Sequence, residues 1–263
     1  MNILIAGLGE IGRSIGGLYK DKEDILYFKD ILYENRKEFD NDTGKVLNID
    51  NEVNGKEIDV LHICIPFFHD FLKVVTSYIK QYEPNITFIH STVDVGVTMD
   101  IYRYANVDIV HSPVIGKHPN LTKSIRTFRK IVAGPNKESN DKAIKHLTYL
   151  GVKTEVFNSP SESEAAKLLS TSYFGWNILY MKYVHKFCEE NNLDFEKVYT
   201  KTNEIYNEGY TKFGDTQFVR PVLKFMPGRI GGHCISPNFK IVKNKFFPAQ
   251  VSIMLEDGLD NAE

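Results

Sequence analysis

The sequence predicts an α/β chain, with a doubly wound parallel sheet first and a smaller helical domain built around a long central helix second. Three observations predict it. Over residues 1–160, short apolar runs alternate with amphipathic stretches, the pattern of parallel strands covered by helices on both faces. A glycine-rich turn, Gly7-Leu8-Gly9-Glu10-Ile11-Gly12, joins the first apolar run directly to the first helix. After Pro160 the periodicity becomes helical.

In chain order, strands are expected at Asn2–Ala6, Ile25–Lys29, Val60–Ile65, Thr87–His90, Ile109–His111, Lys130–Ala133 and Thr154–Phe157. Helices are expected to begin near Ile11, Phe68, Thr98 and Asn140. From Ser161 to Asn191, the residues Ala165, Leu168, Leu169, Trp176, Leu179, Tyr180, Tyr183 and Phe187 recur near helical spacing, so one long helix is expected there. Ser161 followed by Glu164 reads as the capping box at its start. A further helix is expected from about Asp194 to Tyr206. Residues Gly209 to Pro237 are rich in Gly and Pro and read as functional loop, and Phe246 to Glu263 as a short helix or an arm.

Composition bounds the function classes. Of 263 residues, 42% are apolar and 25% charged, ordinary values for a soluble globular protein. A net charge of −2 gives no electrostatic reason to expect a nucleic-acid or membrane partner. The three cysteines, Cys64, Cys188 and Cys234, form no C-x-x-C pair, so neither a disulfide framework nor a metal site is expected. The apolar stretch Ile3–Ala6 is too short for a signal peptide or a membrane span, and a reduced, cytoplasmic setting is the expectation.

The glycine turn carries the first chemistry. Gly7 permits a tight turn, Gly9 lets the backbone approach a pyrophosphate, and Gly12 lets helix and strand pack closely. The helix N-terminus that follows supplies N–H groups and a partial positive charge. The second strand ends on Asp30, at about the distance where an acid meets the adenosine ribose. The reading is a Rossmann-type dinucleotide-binding domain over residues 1–160. Asp30 favours NAD over NADP, although the adjacent Lys29 offers a cation to a 2′-phosphate.

Further segments, in order, resemble the UDP-glucose/GDP-mannose dehydrogenase family of nucleotide-sugar 6-dehydrogenases. They are Ile58-Asp-Val-Leu-His-Ile-Cys-Ile65-Pro66, His90-Ser91-Thr92-Val-Asp-Val-Gly96-Val-Thr98, Ser163-Glu-Ala-Ala-Lys167-Leu-Leu continuing through Asn177 to Cys188, and Gly231-Gly232-His233-Cys234-Ile235. The resemblance implies cofactor contacts at Gly7, Leu8, Gly9, Glu10, Ile11, Gly12, Asp30, Ile65, Pro66, Ser91 and Thr92. It implies catalytic roles for Cys234, Lys167, Asn177 and Thr92. In the family the cysteine attacks an aldehyde formed by a first hydride transfer, and a second hydride leaves a thioester that water hydrolyses. Such a nucleophile needs thiolate character, which a Gly-rich loop beside His233 favours. Lys167 would stabilise a developing oxyanion. Lys167, Thr171 and Asn177 fall within a sector of about 120° on a helix. Cys64 and Cys188 read as core thiols. The resemblance also implies a small-molecule substrate, a sugar derivative, and a homodimer formed through the helix at 161–191. That assigns residues 161–263 to dimerisation and substrate.

The chain departs from the family in four places. The glutamate expected after the Ser-Pro near the sixth strand is Val114. The asparagine one turn after the lysine is Thr171, and the aspartate four positions after the cysteine is Asn238. General-base work lacks those carboxylates, with His111, His118 and His233 as candidate substitutes. No counterpart of the family's further nucleotide-binding domain is expected after the cysteine loop. Two alternatives follow: a β-hydroxyacid dehydrogenase or imine reductase type of single hydride transfer, and an NAD-binding sensor or subunit without catalysis.

Overall fold

The computed structural model describes residues 1–30, 48–49, 55, 57–116, 120–230 and 234–260. Six strands, β1 (Asn2–Ala6), β2 (Ile25–Lys29), β3 (Asn48–Ile49), β4 (Val60–Ile63), β5 (Ile86–Ile89) and β6 (Ile109–His111), form one sheet. Its spatial order is β3-β2-β1-β4-β5-β6, and every pairing is parallel. The chain order reverses between β1 and β4, and ligands of such sheets bind in the crevice beyond the strand C-termini there.

Alternation along the strands builds two cores. On one face Ile3, Ile5, Val60, Phe88 and Val110 meet Ile15 and Leu18 beside α1 (Glu10–Gly16), Leu121 and Ile125 of α4 (Leu121–Thr127), and Ala143 and Leu147 of α5 (Lys137–Tyr149). On the other, Leu4, Ala6, Leu61, Ile63 and Ile89 meet Phe71, Val75 and Ile79 of α2 (Phe71–Tyr82) and Ile101 of α3 (Val97–Ala105). Each such Val, Leu, Ile or Phe side chain, fully buried, contributes about 1.5–3 kcal/mol.

Several local features differ from expectation. β7 (Lys130–Val132) and β8 (Thr154–Val156) pair with each other in a separate two-stranded sheet, linked to β6 by one antiparallel bridge, His111 to Ala133. The helix α4 was not expected, because only Leu121 and Ile125 mark its apolar face. The capping box is displaced as well. The long helix α6 (Pro160–Glu190) begins with proline at its first position, and the hydroxyl of Ser159 accepts the Glu162 N–H at 3.2 Å. The Glu162 carboxylate in turn accepts the Asn158 N–H. Glu164 points elsewhere: fully buried, its carboxylate accepts the N–H groups of Gly96 and Thr98 at 2.6 and 2.8 Å, capping α3.

The chain divides into two compact units, Met1–Lys167 and Leu168–Glu263. In the second, a π-helical turn, Glu196–Lys201, leads into α7 (Thr202–Phe213). Two further helices follow, α8 (Ile235–Val242) and α9 (Phe247–Asp260). Ile235, Phe239 and Val242 are the buried stripe of α8, so this helix begins inside the segment read as loop. Gly175 is what lets α8 approach α6. A Cβ there would lie 2.5 Å from both Ile235 and Phe239. Among the described residues no helix is long and apolar enough to cross a membrane.

Candidate functional site

The glycine loop has the geometry its sequence implies. Gly7 adopts φ +95°, and a Cβ would sit 2.8 Å from the Cys64 carbonyl group. A Cβ on Gly12 would stand 1.8 Å from the Gly7 carbonyl oxygen, so only glycine allows α1 to start against the turn. At Gly9, by contrast, no heavy atom lies within 4 Å of a Cβ position, and the residue is exposed. The loop therefore closes against backbone at Gly7 and Gly12 and is open outward at Gly9. Leu8 is buried, and its N–H donates to the Asp30 carboxylate at 2.5 Å. Asp30 thus fixes the loop from the tip of β2. Glu10 is exposed, and Ile11 packs on the core beneath.

Next to this loop, β4 and β5 are joined at their tips. The Ser91 hydroxyl donates to the Ile65 carbonyl at 2.6 Å and is itself buried. Its side chain therefore ties two loops together. Ile65 and Thr92 are half-buried and Pro66 is exposed along the same rim.

The turn after β6 is held by two lysines. Lys167 Nζ donates to the Val114 carbonyl at 2.9 Å. Lys130 Nζ donates to the carbonyls of Ser112 and Pro113 at 2.8 and 3.1 Å. Three consecutive carbonyls thus face ammonium groups. Burial, reinforced by the Lys167 charge, brings the Lys130 pKa down to about 7. His111 is not an available base. It is fully buried, its Nδ1 accepts the Ser163 hydroxyl proton, and its Nε2 faces the Ser91 carbonyl. Burial pushes its pKa down to about 3. His118 and His233, with Gly231 and Gly232, lie outside the described residues.

A buried hydrogen-bond chain that the sequence reading missed runs toward this turn. His90 Nδ1 meets the Ser112 carbonyl at 2.6 Å and its Nε2 meets His62 Nδ1 at 2.9 Å. His62 Nε2 and His146 Nε2 then share the Tyr19 hydroxyl, at 2.6 and 2.7 Å. A carbonyl only accepts, so His90 donates through Nδ1, His62 donates to His90, Tyr19 donates to His62, and His146 donates to Tyr19. Burial lowers the pKa of all three histidines, His146 to about 4, which keeps them neutral. The signal in the sequence was His62 inside an apolar strand. Lys130 and Glu164 gave none, because their partners lie far along the chain.

In the second unit, Cys234 is exposed and stands at the N-cap position of α8 without a side-chain capping bond, whereas Cys64 and Cys188 are buried. Burial raises the Cys64 pKa and makes that thiol inert. Asn177 is half-buried, and its Nδ2 donates to the Tyr173 carbonyl one turn back at 2.7 Å. Asn238 is buried in α8. Trp176 and Tyr180 are exposed, while the Tyr183 hydroxyl donates to the Leu255 carbonyl.

No protein-family model matches the chain. Protein CapL of Staphylococcus aureus is 25% identical over 270 residues, which cover 89% of this chain and 60% of CapL. The chain thus spans 60% of the length of that curated relative. The UDP-D-ManNAc dehydrogenase of Pyrococcus horikoshii superposes with a TM-score of 0.75 at 16% identity, covering 98% of this chain and 69% of that one. The UDP-N-acetyl-mannosamine dehydrogenase Cap5O of Staphylococcus aureus gives 0.71 at 16% identity, covering 98% and 68%. The 3-hydroxyisobutyrate dehydrogenase of Mycobacterium tuberculosis gives 0.68 at 12% identity, covering 99% and 92%. At such identities the likeness is one of fold. In fold, then, the chain is similar to the dehydrogenases of nucleotide sugars, with a Rossmann sheet that runs into a long helix.

Proposed function

We propose that the chain is a nicotinamide-dinucleotide-dependent oxidoreductase that oxidises an alcohol or aldehyde of a sugar derivative, with NAD preferred over NADP. The observation that carries this reading is the glycine loop, shut by backbone at Gly7 and Gly12 and open at Gly9. Gly7, Leu8, Gly9, Glu10, Ile11 and Gly12 would hold the pyrophosphate, Asp30 the ribose, and Ile65, Pro66, Ser91 and Thr92 the nicotinamide side. When bound, the cofactor supplies a two-electron hydride acceptor. Lys167, oriented by the Val114 carbonyl, offers its ammonium to the substrate oxygen, with Asn177 further along the same helix. Cys234 adds through sulfur to an aldehyde carbon, and its proton passes to the carbonyl oxygen. The dimer is assigned to the 161–191 helix, whose Trp176 and Tyr180 are exposed.

The test is a titration with NAD and NADP, followed by NADH absorbance with UDP-N-acetylmannosamine and with the free sugar. Saturable NAD binding with turnover supports the reading, and no binding ends it. The yield separates outcomes: two NADH per substrate require the Cys234 route, and Cys234→Ala then stops after the first. A second reading, one hydride transfer without a covalent step, is favoured by the coverage of 3-hydroxyisobutyrate dehydrogenase, 92% of that chain. It predicts one NADH per substrate and full activity in Cys234→Ala.

A further inference from the structure

The chain before Cys234 is fastened to α6 by a lysine that has been given no role so far. Lys182 is 6% exposed, and its Nζ donates to the carbonyls of Met226 and Gly228 at 2.6 and 2.5 Å. The same ammonium lies 5.4 Å from the centre of the Phe225 ring. His185, three residues on, stacks on Phe225 with ring centres 3.5 Å apart and planes 4° from parallel. Gly228 takes φ +76°, so the chain turns at the clamp, and Ile230 beyond it is buried. On the far side of Cys234, Ile235 and Phe239 close on Gly175.

Both anchors sit on one stripe of α6. Seven residues separate Gly175 from Lys182, two helical turns, which places them within about 20° of the same direction and about 10 Å apart. The chain up to Ile230 is held at one anchor, and the helix that begins after Cys234 at the other. Neutral carbonyls bonded to a buried ammonium form short, charge-assisted contacts, stronger than those between neutral groups. We infer that Lys182 is a positioning residue for Cys234: by clamping Met226 and Gly228 it fixes where the thiol stands relative to the face of α6. The inference rests on Cys234 being the working thiol.

Cys234 is the exposed cysteine beside two buried ones, so alkylation reads its position without a known substrate. Iodoacetamide labelling of the full chain, followed by mass spectrometry, is expected to show a Cys234 rate changed at least fivefold in Lys182→Met. Amide exchange over residues 225–230 should accelerate, and NAD affinity should stay as in the native chain. Lys182→Arg, which restores donors, should return the rate toward native. A Cys234 rate within twofold of native in a folded Lys182→Met overturns the inference. Should that variant fail to fold, reductive methylation of the native chain decides: Lys182 must react at least tenfold more slowly than the exposed Lys240, and equal rates overturn the clamp. Full turnover in Cys234→Ala would end the nucleophile reading while leaving the exchange result at residues 225–230 as it stands, so the two failures are distinguishable.

Discussion

At the scale of single residues, the three glycines separate by what each excludes. Gly12→Ala forces a methyl into the Gly7 carbonyl, a clash with backbone, and is expected to cost on the order of 1–3 kcal/mol in urea unfolding. Gly9→Val meets open space on the protein side. It should leave the unfolding midpoint unchanged yet weaken NAD binding by at least tenfold, about 1.4 kcal/mol, because the side chain enters the pyrophosphate space. Equal NAD affinity in Gly9→Val would place the dinucleotide elsewhere. Gly7 and Gly12 were legible in the sequence because each answers to backbone within its own turn or the neighbouring strand. Lys130 and Lys182 were not, since both are buried lysines whose partners are carbonyls, and a carbonyl leaves no mark in a sequence. His111 was read as a candidate base because its type allows it. Its burial under Ser91 and Ser163 removes it from that role.

At the scale of elements, the start of α6 shows how a local motif is decided by one neighbour. The stretch Ser159-Pro-Ser161-Glu162-Ser-Glu164 contains the S-x-x-E pattern twice. Proline fits the first helical position and so selects Ser159 as the cap. Glu164 is thereby left to cap α3 from a distance of 66 residues in sequence. Glu164→Ala is expected to cost about 1–3 kcal/mol, with faster amide exchange at Val97 to Asp100 than elsewhere in the sheet domain. Uniform exchange would show that the carboxylate contributes no local cap. Strands β1, β2 and β6 were legible to the residue, since alternation between two apolar faces is a strong local signal. α8 was hidden by the Gly and Pro around it, although its Ile235, Phe239 and Val242 carry helical spacing.

At the scale of the whole molecule, the buried histidines set a pH dependence. Their folded pKa values lie below the unfolded value of about 6.5, so the unfolded chain takes up more protons on acidification. Their contribution is complete above pH ~6.5 and is lost as pH falls toward about 4 for His146 and about 3 for His111. Each group adds a slope of up to about 1.4 kcal/mol per pH unit within its window. Lys130 acts in the same direction higher up, its folded pKa of about 7 lying below the 10.5 of a free lysine, so stability still rises above pH 7. Urea midpoints should therefore climb steadily from pH 4.5 to 9. A midpoint flat between pH 5 and 7 would contradict this. None of it was visible in a net charge of −2, which counts the histidines as neutral and says nothing of where they sit.

The histidine chain has a further consequence. Because the Ser112 carbonyl can only accept, every donor from His146 through Tyr19, His62 and His90 points the same way, and each ring is confined to one tautomer. The bond dipoles then add head to tail across the interior, with their positive ends directed at the turn after β6. The core of the sheet domain is a standing electric field as well as a packed volume, aimed at the three carbonyls from Ser112 to Val114.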